Sequence, residues 1–163
     1  MLTSALAALV LSAMTAVAQT PIPAQDFVQR TAIVGMFGVE AATLALHKSS
    51  SPEIKGFAHR LADQHAVATS SLRRIVATRS DIALPDRPDN RHLAVLSALS
   101  DKQGEDFDKA YVAAQRDAYR EAASLMERYA GEGTDAQLKG FAEQSLPVFQ
   151  ELNRKAQELP AAP

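Results

Sequence analysis

Three side chains in this sequence have the chemical type and the spacing for a site inside a helical bundle. Glu40 is the only acidic or basic residue between positions 30 and 47, in a segment that is otherwise mostly apolar. A carboxylate buried in such a segment needs a cation, a metal ion or water to offset its desolvation. His65 lies among apolar residues at helical spacing, and Glu121 matches Glu40 in an internal repeat. One hypothesis is therefore a metal centre of Glu40, His65 and Glu121, with Asp108 or Tyr119 beside it.

A plainer interpretation of the same residues is structural, and we favour it. Glu40 and Glu121 then form ion pairs or face water, and His65 is a core residue hydrogen-bonded to a neighbouring side chain. The sequence contains no Glu-x-x-His, the motif that di-metal bundles place on two of their helices. Iron, manganese and zinc are the candidate ions of the metal hypothesis, and the structural interpretation needs no cofactor.

Other catalytic signatures are missing from the sequence. It has no Gly-rich phosphate loop and no serine elbow. The sequence leaves enzymatic activity undecided, favours a non-catalytic protein, and identifies no catalytic or cofactor-binding residue.

An internal repeat predicts the elements that must position these side chains. The segment EAATL at 40–44 recurs as EAASL at 121–125, 81 residues later, and IKGFA at 54–58 recurs as LKGFA at 138–142, 84 residues later. Two blocks that recur in the same order indicate a duplicated helical hairpin. The predicted fold is all-α: a ferritin-like four-helix bundle of two repeated hairpins, joined by a long crossover that holds a short extra helix.

Capping residues and prolines set the expected helix limits. We predict helices over about 26–46, 52–79, 92–99 and 106–130, and a last helix from about 135 to 159. The expected N-terminal caps are Asp26, Ser50 with Glu53, Asp89, and Thr134 with Gln137. Pro147 should kink the last helix because it removes one backbone hydrogen bond.

The amino-terminal segment has the composition of a secretory signal. Residues 1–25 contain no Asp, Glu, Lys or Arg, and an apolar run over 6–17 ends in Ala16-Val17-Ala18. This pattern predicts a signal peptide over 1–18, an extended leader over 19–25, one bundle domain over 26–159 and a disordered tail over 160–163. The mature protein is then periplasmic or secreted, with no integral membrane span.

Composition narrows the partner classes further. There is no cysteine, so neither a disulfide nor thiol chemistry is available. The 17 Lys and Arg nearly balance the 19 Asp and Glu without a basic cluster, which argues against nucleic acid as a partner. An envelope protein remains a possible partner.

Two longer strings carry a family resemblance. FAHRLADQH at 57–65 and FDKAYVAAQ at 107–115 resemble the exported bacterial proteins grouped as domain-of-unknown-function family 4142, together with LP at 84–85 and at 146–147. The resemblance covers nearly all of 26–159. It implies a ferritin-like helical domain in the periplasm or cell envelope and supplies no established reaction.

The chain departs from the family pattern at informative positions. The pattern often has Glu-Val-Glu where this chain has Gly38-Val39-Glu40, Asp-His where it has Gln64-His65, and a histidine where it has Tyr119. Positions 38 and 119 are equivalent in the repeat, and both lack the expected polar residue. If the family binds metal there, this member should bind it weakly or not at all.

Three functions remain open at this point. The favoured one is a non-catalytic ferritin-like envelope protein that acts as a scaffold or in stress. The second is a metal-binding or di-metal oxidase-type bundle that uses Glu40, His65 and Glu121. The third is a helical sensor or partner-binding module that uses a groove of the bundle.

Overall fold

Within residues 20–160, which a computed structural model describes, all regular secondary structure is helical. The predicted signal peptide and residues 161–163 of the predicted tail lie outside this range. The described part contains five helices and no strand. They are α1 (Ala24–Lys48), α2 (Pro52–Val76), α3 (Asn90–Ser100), α4 (Gly104–Glu132) and α5 (Ala136–Glu158).

The four long helices pack in a ring around one core. α1 contacts α2 and α4, and α5 contacts α2 and α4, while the short α3 lies against α1 and α4. Loops of three residues at 49–51 and 133–135 join α1 to α2 and α4 to α5, so each of these pairs is antiparallel. The long connection from α2 to α4 carries α3, as the repeat predicts.

Each long helix buries one stripe of apolar residues at three-to-four-residue spacing. The largest fully buried side chains are aromatic and aliphatic, and all lie in one cluster: Phe27, Phe37, Ile54, Leu61, Leu99, Phe107, Tyr111, Tyr119, Met126, Tyr129, Leu138 and Phe149. Burial of these side chains is the main favourable contribution to folding in a chain with no cysteine.

The first helix starts earlier than the sequence indicates. α1 begins at Ala24, inside the predicted extended leader, and Pro23 precedes it without a side-chain cap. The prediction that Asp26 caps this helix is therefore wrong. Asp26 lies in the first turn, where a carboxylate still interacts favourably with the helix dipole. Ile22, just before the helix, is buried.

Two other caps are displaced by one residue. Ser51, not Ser50, accepts a hydrogen bond from the Ile54 amide at 3.2 Å. Asp135, not Thr134, accepts one from the Leu138 amide at 3.0 Å. In both loops two adjacent residues have a side chain that can cap, and the second of them does so.

The remaining helix limits agree more closely with prediction. The cap of α3 is Asp89, as predicted, and its carboxylate accepts from the His92 amide at 2.9 Å. α2 ends at Val76, three residues before the predicted end at Arg79. α5 continues through Pro147, which lies on its exposed side. None of the helices between residues 20 and 160 is both long enough and apolar enough to cross a membrane.

Candidate functional site

The centre of the helical ring holds a hydrogen-bonded histidine and tyrosine. His65 belongs to the buried stripe of α2, and Tyr119 belongs to that of α4. Their side chains are almost completely buried, with relative exposures of 2% and 0%. The His65 Nε2 atom and the Tyr119 hydroxyl oxygen are 2.5 Å apart. The expectation that His65 is a core residue bonded to a neighbour is confirmed.

Burial keeps both members of this pair uncharged at neutral pH. Desolvation lowers the pKa of His65 from 6.5 to about 4, because the imidazolium form would lose its hydration. The pKa of Tyr119 is raised well above its ordinary value, mainly by burial and also by the nearby Tyr111 phenol. A neutral imidazole and a protonated phenol hydrogen-bond in either direction, with Nε2 as acceptor or as donor.

Gly38 of α1 packs directly against the hydrogen-bonded pair. A Cβ atom at Gly38 would lie 2.7 Å from the His65 Nε2 atom and 2.8 Å from the Tyr119 hydroxyl oxygen. Separations this short are well inside van der Waals contact, so the absence of a side chain is what lets α1 pack here. The position needs glycine for close approach and not for an unusual backbone angle.

Aromatic rings enclose the pair on its other sides. The Phe149 ring of α5 meets the His65 ring edge to face, with centroids 6.0 Å apart. The Phe57 ring of α2 meets the Tyr119 ring in the same way at 6.1 Å. This apolar enclosure is the physical cause of both pKa shifts.

Residues at equivalent positions of the sequence repeat meet in this centre. Gly38 and Tyr119 are equivalent at the offset of 81 residues, and His65 and Phe149 at the offset of 84. Gly38 is in close contact with Tyr119, and the rings of His65 and Phe149 are in edge-to-face contact. The repeat alignment was thus a usable sequence signal for which residues converge.

A small cavity adjoins the histidine. It has a volume of about 40 Å³, and Thr31, Gly35, Thr69 and Phe149 are among the residues that line it with His65. The Thr31 hydroxyl oxygen is buried without a hydrogen-bond partner in the described part of the chain. A space of this size admits one or two water molecules and is too small for an organic substrate.

The two candidate carboxylates of the metal hypothesis lie elsewhere. Glu40 is exposed on α1, so the expectation that it is a buried carboxylate is wrong and it has no desolvation to offset. Glu121 is also exposed, and the Arg91 guanidinium donates two hydrogen bonds to its carboxylate oxygens at 2.7 and 3.0 Å. These bonds hold the pKa of Glu121 below its usual range. The structural interpretation as an ion pair fits Glu121, and water exposure fits Glu40.

The fourth candidate, Asp108, is buried but distant from the pair. It precedes Tyr119 by 11 residues on α4, which corresponds to about 16 Å along the helix axis. One carboxylate oxygen of Asp108, the Tyr111 hydroxyl and both amide atoms of Gln115 are buried without partners in the described chain. Positions 108, 111, 115 and 119 follow helical spacing, so this buried polar stripe was visible in the sequence although the prediction omitted Gln115.

The residues present do not fit a di-metal centre. Such a centre takes two carboxylates and two Glu-x-x-His pairs from facing helices. Among residues 20–160, no three His, Asp or Glu side chains come together in a group that could hold an ion. His65 Nε2 is hydrogen-bonded to Tyr119, and Gly38 has no side chain that could ligate an ion.

The fold and this centre define an all-helical protein with an uncharged His-Tyr pair buried between its helices. The family described as Domain of unknown function (DUF4142) matches residues 10–159, so the chain belongs to that family. Searches of curated proteins and of solved structures find no match to it.

Proposed function

We propose that this chain is an exported, ferritin-like four-helix domain of the bacterial cell envelope with a non-catalytic role, as a scaffold or in stress. The observation that carries the proposal is the packing of Gly38 against His65 and Tyr119. In metal-binding bundles the corresponding space between the helices holds carboxylates and an ion. In this chain a neutral hydrogen bond and a close helix contact occupy it.

The ferritin-like topology is supported by the helix contacts and by the repeat. Two antiparallel pairs with short loops, α1 with α2 and α4 with α5, are joined by one long connection. One long crossover is the connectivity that distinguishes ferritin-like bundles from simple up-and-down bundles. Equivalent repeat positions that meet at the centre are what two fused copies of one hairpin would produce.

The export part of the proposal rests on the sequence of residues 1–18, with its apolar run and Ala16-Val17-Ala18. The test is amino-terminal sequencing of the mature protein from a fractionated bacterial host. A new amino terminus at Gln19 in the periplasmic fraction is the expected result. Recovery of the protein in the cytoplasm with Met1 intact would contradict this part alone.

The non-catalytic part rests on the chemistry of the pair. A histidine with a pKa of about 4 is uncharged and weakly basic at neutral pH, and its Nε2 atom is already hydrogen-bonded. The enclosed cavity beside it is too small for a substrate, and the larger depression of about 650 Å³ that His65 also lines is an open part of the surface. The pair therefore contributes to packing and to the specificity of helix alignment.

Metal analysis tests the proposal directly. The purified chain is incubated with Fe²⁺, Mn²⁺ and Zn²⁺ in turn, desalted and measured by elemental analysis. We expect less than about a tenth of an equivalent of each ion to remain, because no preformed ligand set is present. Retention of about one equivalent, lost in His65→Ala but kept in the exposed control His59→Ala, would refute the proposal.

The same two variants separate a structural role from a functional one. His65→Ala should lower the free energy of unfolding by about 2–4 kcal/mol, because it removes a buried ring and leaves the Tyr119 hydroxyl unpartnered. His59→Ala should change it by less than about 0.5 kcal/mol, since His59 is exposed. Urea unfolding followed by circular dichroism measures both values.

A further inference from the structure

A charged cleft lies where α1, α3 and α4 meet. It consists of two adjoining cavities of about 120 and 300 Å³. Both are lined by Arg30 of α1 and by Glu121 and Leu125 of α4, so they form one continuous depression. This cleft takes no part in the His65-Tyr119 centre.

Arginines dominate the larger cavity. Arg120, Ser124 and Arg128 follow one another at intervals of four residues on α4, and Arg30 faces them from α1. Glu121 is the one carboxylate that lines this cavity, and the Arg91 fork neutralises it. The cleft is locally positive although the chain carries a formal net charge of −2.

Two of these guanidinium groups form no direct ion pair between residues 20 and 160, although Arg30 lies near enough to Glu121 to help lower the pKa of that carboxyl. Arg120 pairs with Asp117, whereas neither Arg30 nor Arg128 forms an ion pair with any residue between 20 and 160. Arg128 is only partly exposed, and its Nε atom is buried without a hydrogen-bond partner in that range. A partly buried cation without a carboxylate partner favours an anionic ligand.

The walls of the cleft combine this charge with apolar surface. Ile22 and Leu125 are buried core residues that also line the larger cavity beside the arginines. At the far end of the smaller cavity the His92 ring is fixed by Asp89, whose carboxylate accepts from Nδ1 at 2.7 Å, and by edge contact with Phe37 at 5.0 Å. The cleft therefore suits a ligand with one anionic and one apolar part.

We propose that this cleft binds a small organic phosphate, with its phosphate held between Arg30 and Arg128 and its apolar substituent against Ile22 and Leu125. A guanidinium fork matches two oxygens of a phosphate, and a dianion satisfies two such groups at once. A monocarboxylate would neutralise only one of them. The Ser124 hydroxyl, between the arginines of α4, supplies one further donor.

Titration of the purified full chain tests this site, with phenyl phosphate as the organic probe and inorganic phosphate as the minimal one. Amide chemical shifts in two-dimensional NMR spectra report where each probe binds. We expect saturable shifts centred on residues 120–128 and near Arg30, with phenyl phosphate the tighter of the two because it also covers Ile22 and Leu125. Raising the salt concentration should weaken both.

Variants decide whether the arginines carry the binding. Arg30→Gln and Arg128→Gln should each weaken phenyl phosphate at least about tenfold, the loss expected for one charge-assisted pair. Arg73→Gln is the matched control, because Arg73 is an exposed arginine of α2 without an ion pair in the described chain, and it should leave the affinity unchanged. Circular dichroism of each variant verifies that it is folded.

Three outcomes would overturn the proposal. They are the absence of saturable shifts up to about 10 mM probe, equal affinity in Arg30→Gln, Arg128→Gln and Arg73→Gln, or shifts centred away from the cleft. Each of these is independent of the metal analysis of the His65-Tyr119 centre. Failure of this proposal would therefore leave the proposed function intact, and the reverse also holds.

Discussion

Acidification should destabilise this protein through a single buried histidine. In the unfolded chain His65 has its ordinary pKa of 6.5, whereas burial lowers the pKa to about 4 in the folded protein. Between these two values the unfolded chain binds a proton at this site and the folded protein does not. The free energy of unfolding must therefore fall as the pH drops from 7 towards 4, and the contribution of His65 levels off once the pH is below the folded-state pKa.

The size of the effect follows from the two pKa values. Integration over the titration of His65 gives a fall in the free energy of unfolding of about 1 kcal/mol between pH 7 and pH 5.5, and of about 2 kcal/mol between pH 7 and pH 4.5. The complete shift corresponds to about 3 kcal/mol. Because His65 is 2% exposed, solvent screening does not reduce this figure substantially.

Urea unfolding at a series of pH values measures this dependence, and two variants isolate its source. His65→Gln keeps a hydrogen-bonding group near Tyr119 but cannot titrate, so its stability should fall less steeply than that of the wild type. Tyr119→Phe removes the hydrogen bond and leaves the histidine buried, so it should be less stable at every pH but keep the steep dependence.

The carboxylates titrate in both the wild type and His65→Gln. Their effect therefore cancels when the free energy of unfolding of the variant is subtracted from that of the wild type. If that difference did not change between pH 7 and pH 5, burial of His65 would not be the cause. Loss of the dependence in Tyr119→Phe would assign it to the hydrogen bond and contradict the desolvation argument.

Three further substitutions test packing and capping by the same unfolding assay. Gly38→Ala should lower the free energy of unfolding by about 2 kcal/mol or more, because its Cβ would overlap the atoms of the buried hydrogen bond. Gly56→Ala, with open space around it, should raise the free energy of unfolding by up to about 1 kcal/mol. Equal effects of the two substitutions would contradict the close contact at Gly38. Gln115→Met should raise stability by about 1 kcal/mol, since it removes a fully buried amide without partners, and a loss would mean that the amide is hydrogen-bonded. Asp89→Ala should cost about 1 kcal/mol by removing the cap of α3, and a change below about 0.3 kcal/mol would show that the cap is dispensable.

Helices and their order were predictable because their signals are local. Pro52, Asp89 and Gly133 mark helix ends whatever the rest of the chain does. The errors were also local, as at Ser51 and Asp135, where an adjacent residue offers the same capping chemistry. The repeat supplied the pairing of helices that single-helix patterns do not contain.

The site was less predictable because it depends on how helices rotate about their axes. Glu40 sits in an apolar segment, yet α1 turns that position to solvent while Gly38, two residues earlier, faces the core. Residues two positions apart lie on nearly opposite faces of a helix. The composition of the segment does not show which of the two faces the core. The contact of His65 with Tyr119 joins α2 to α4, so no local pattern reports it.

The meeting of Gly38 with Tyr119 has a consequence for how such a chain can change. The two positions share one volume next to His65, with the smallest residue in one half of the repeat and one of the largest in the other. A larger side chain at 38 is tolerated only when the residue at 119 becomes smaller, so the effects of substitutions at the two positions should not add. Substitutions at these two positions of the sequence repeat are therefore coupled, because the size of one side chain limits the size of the other.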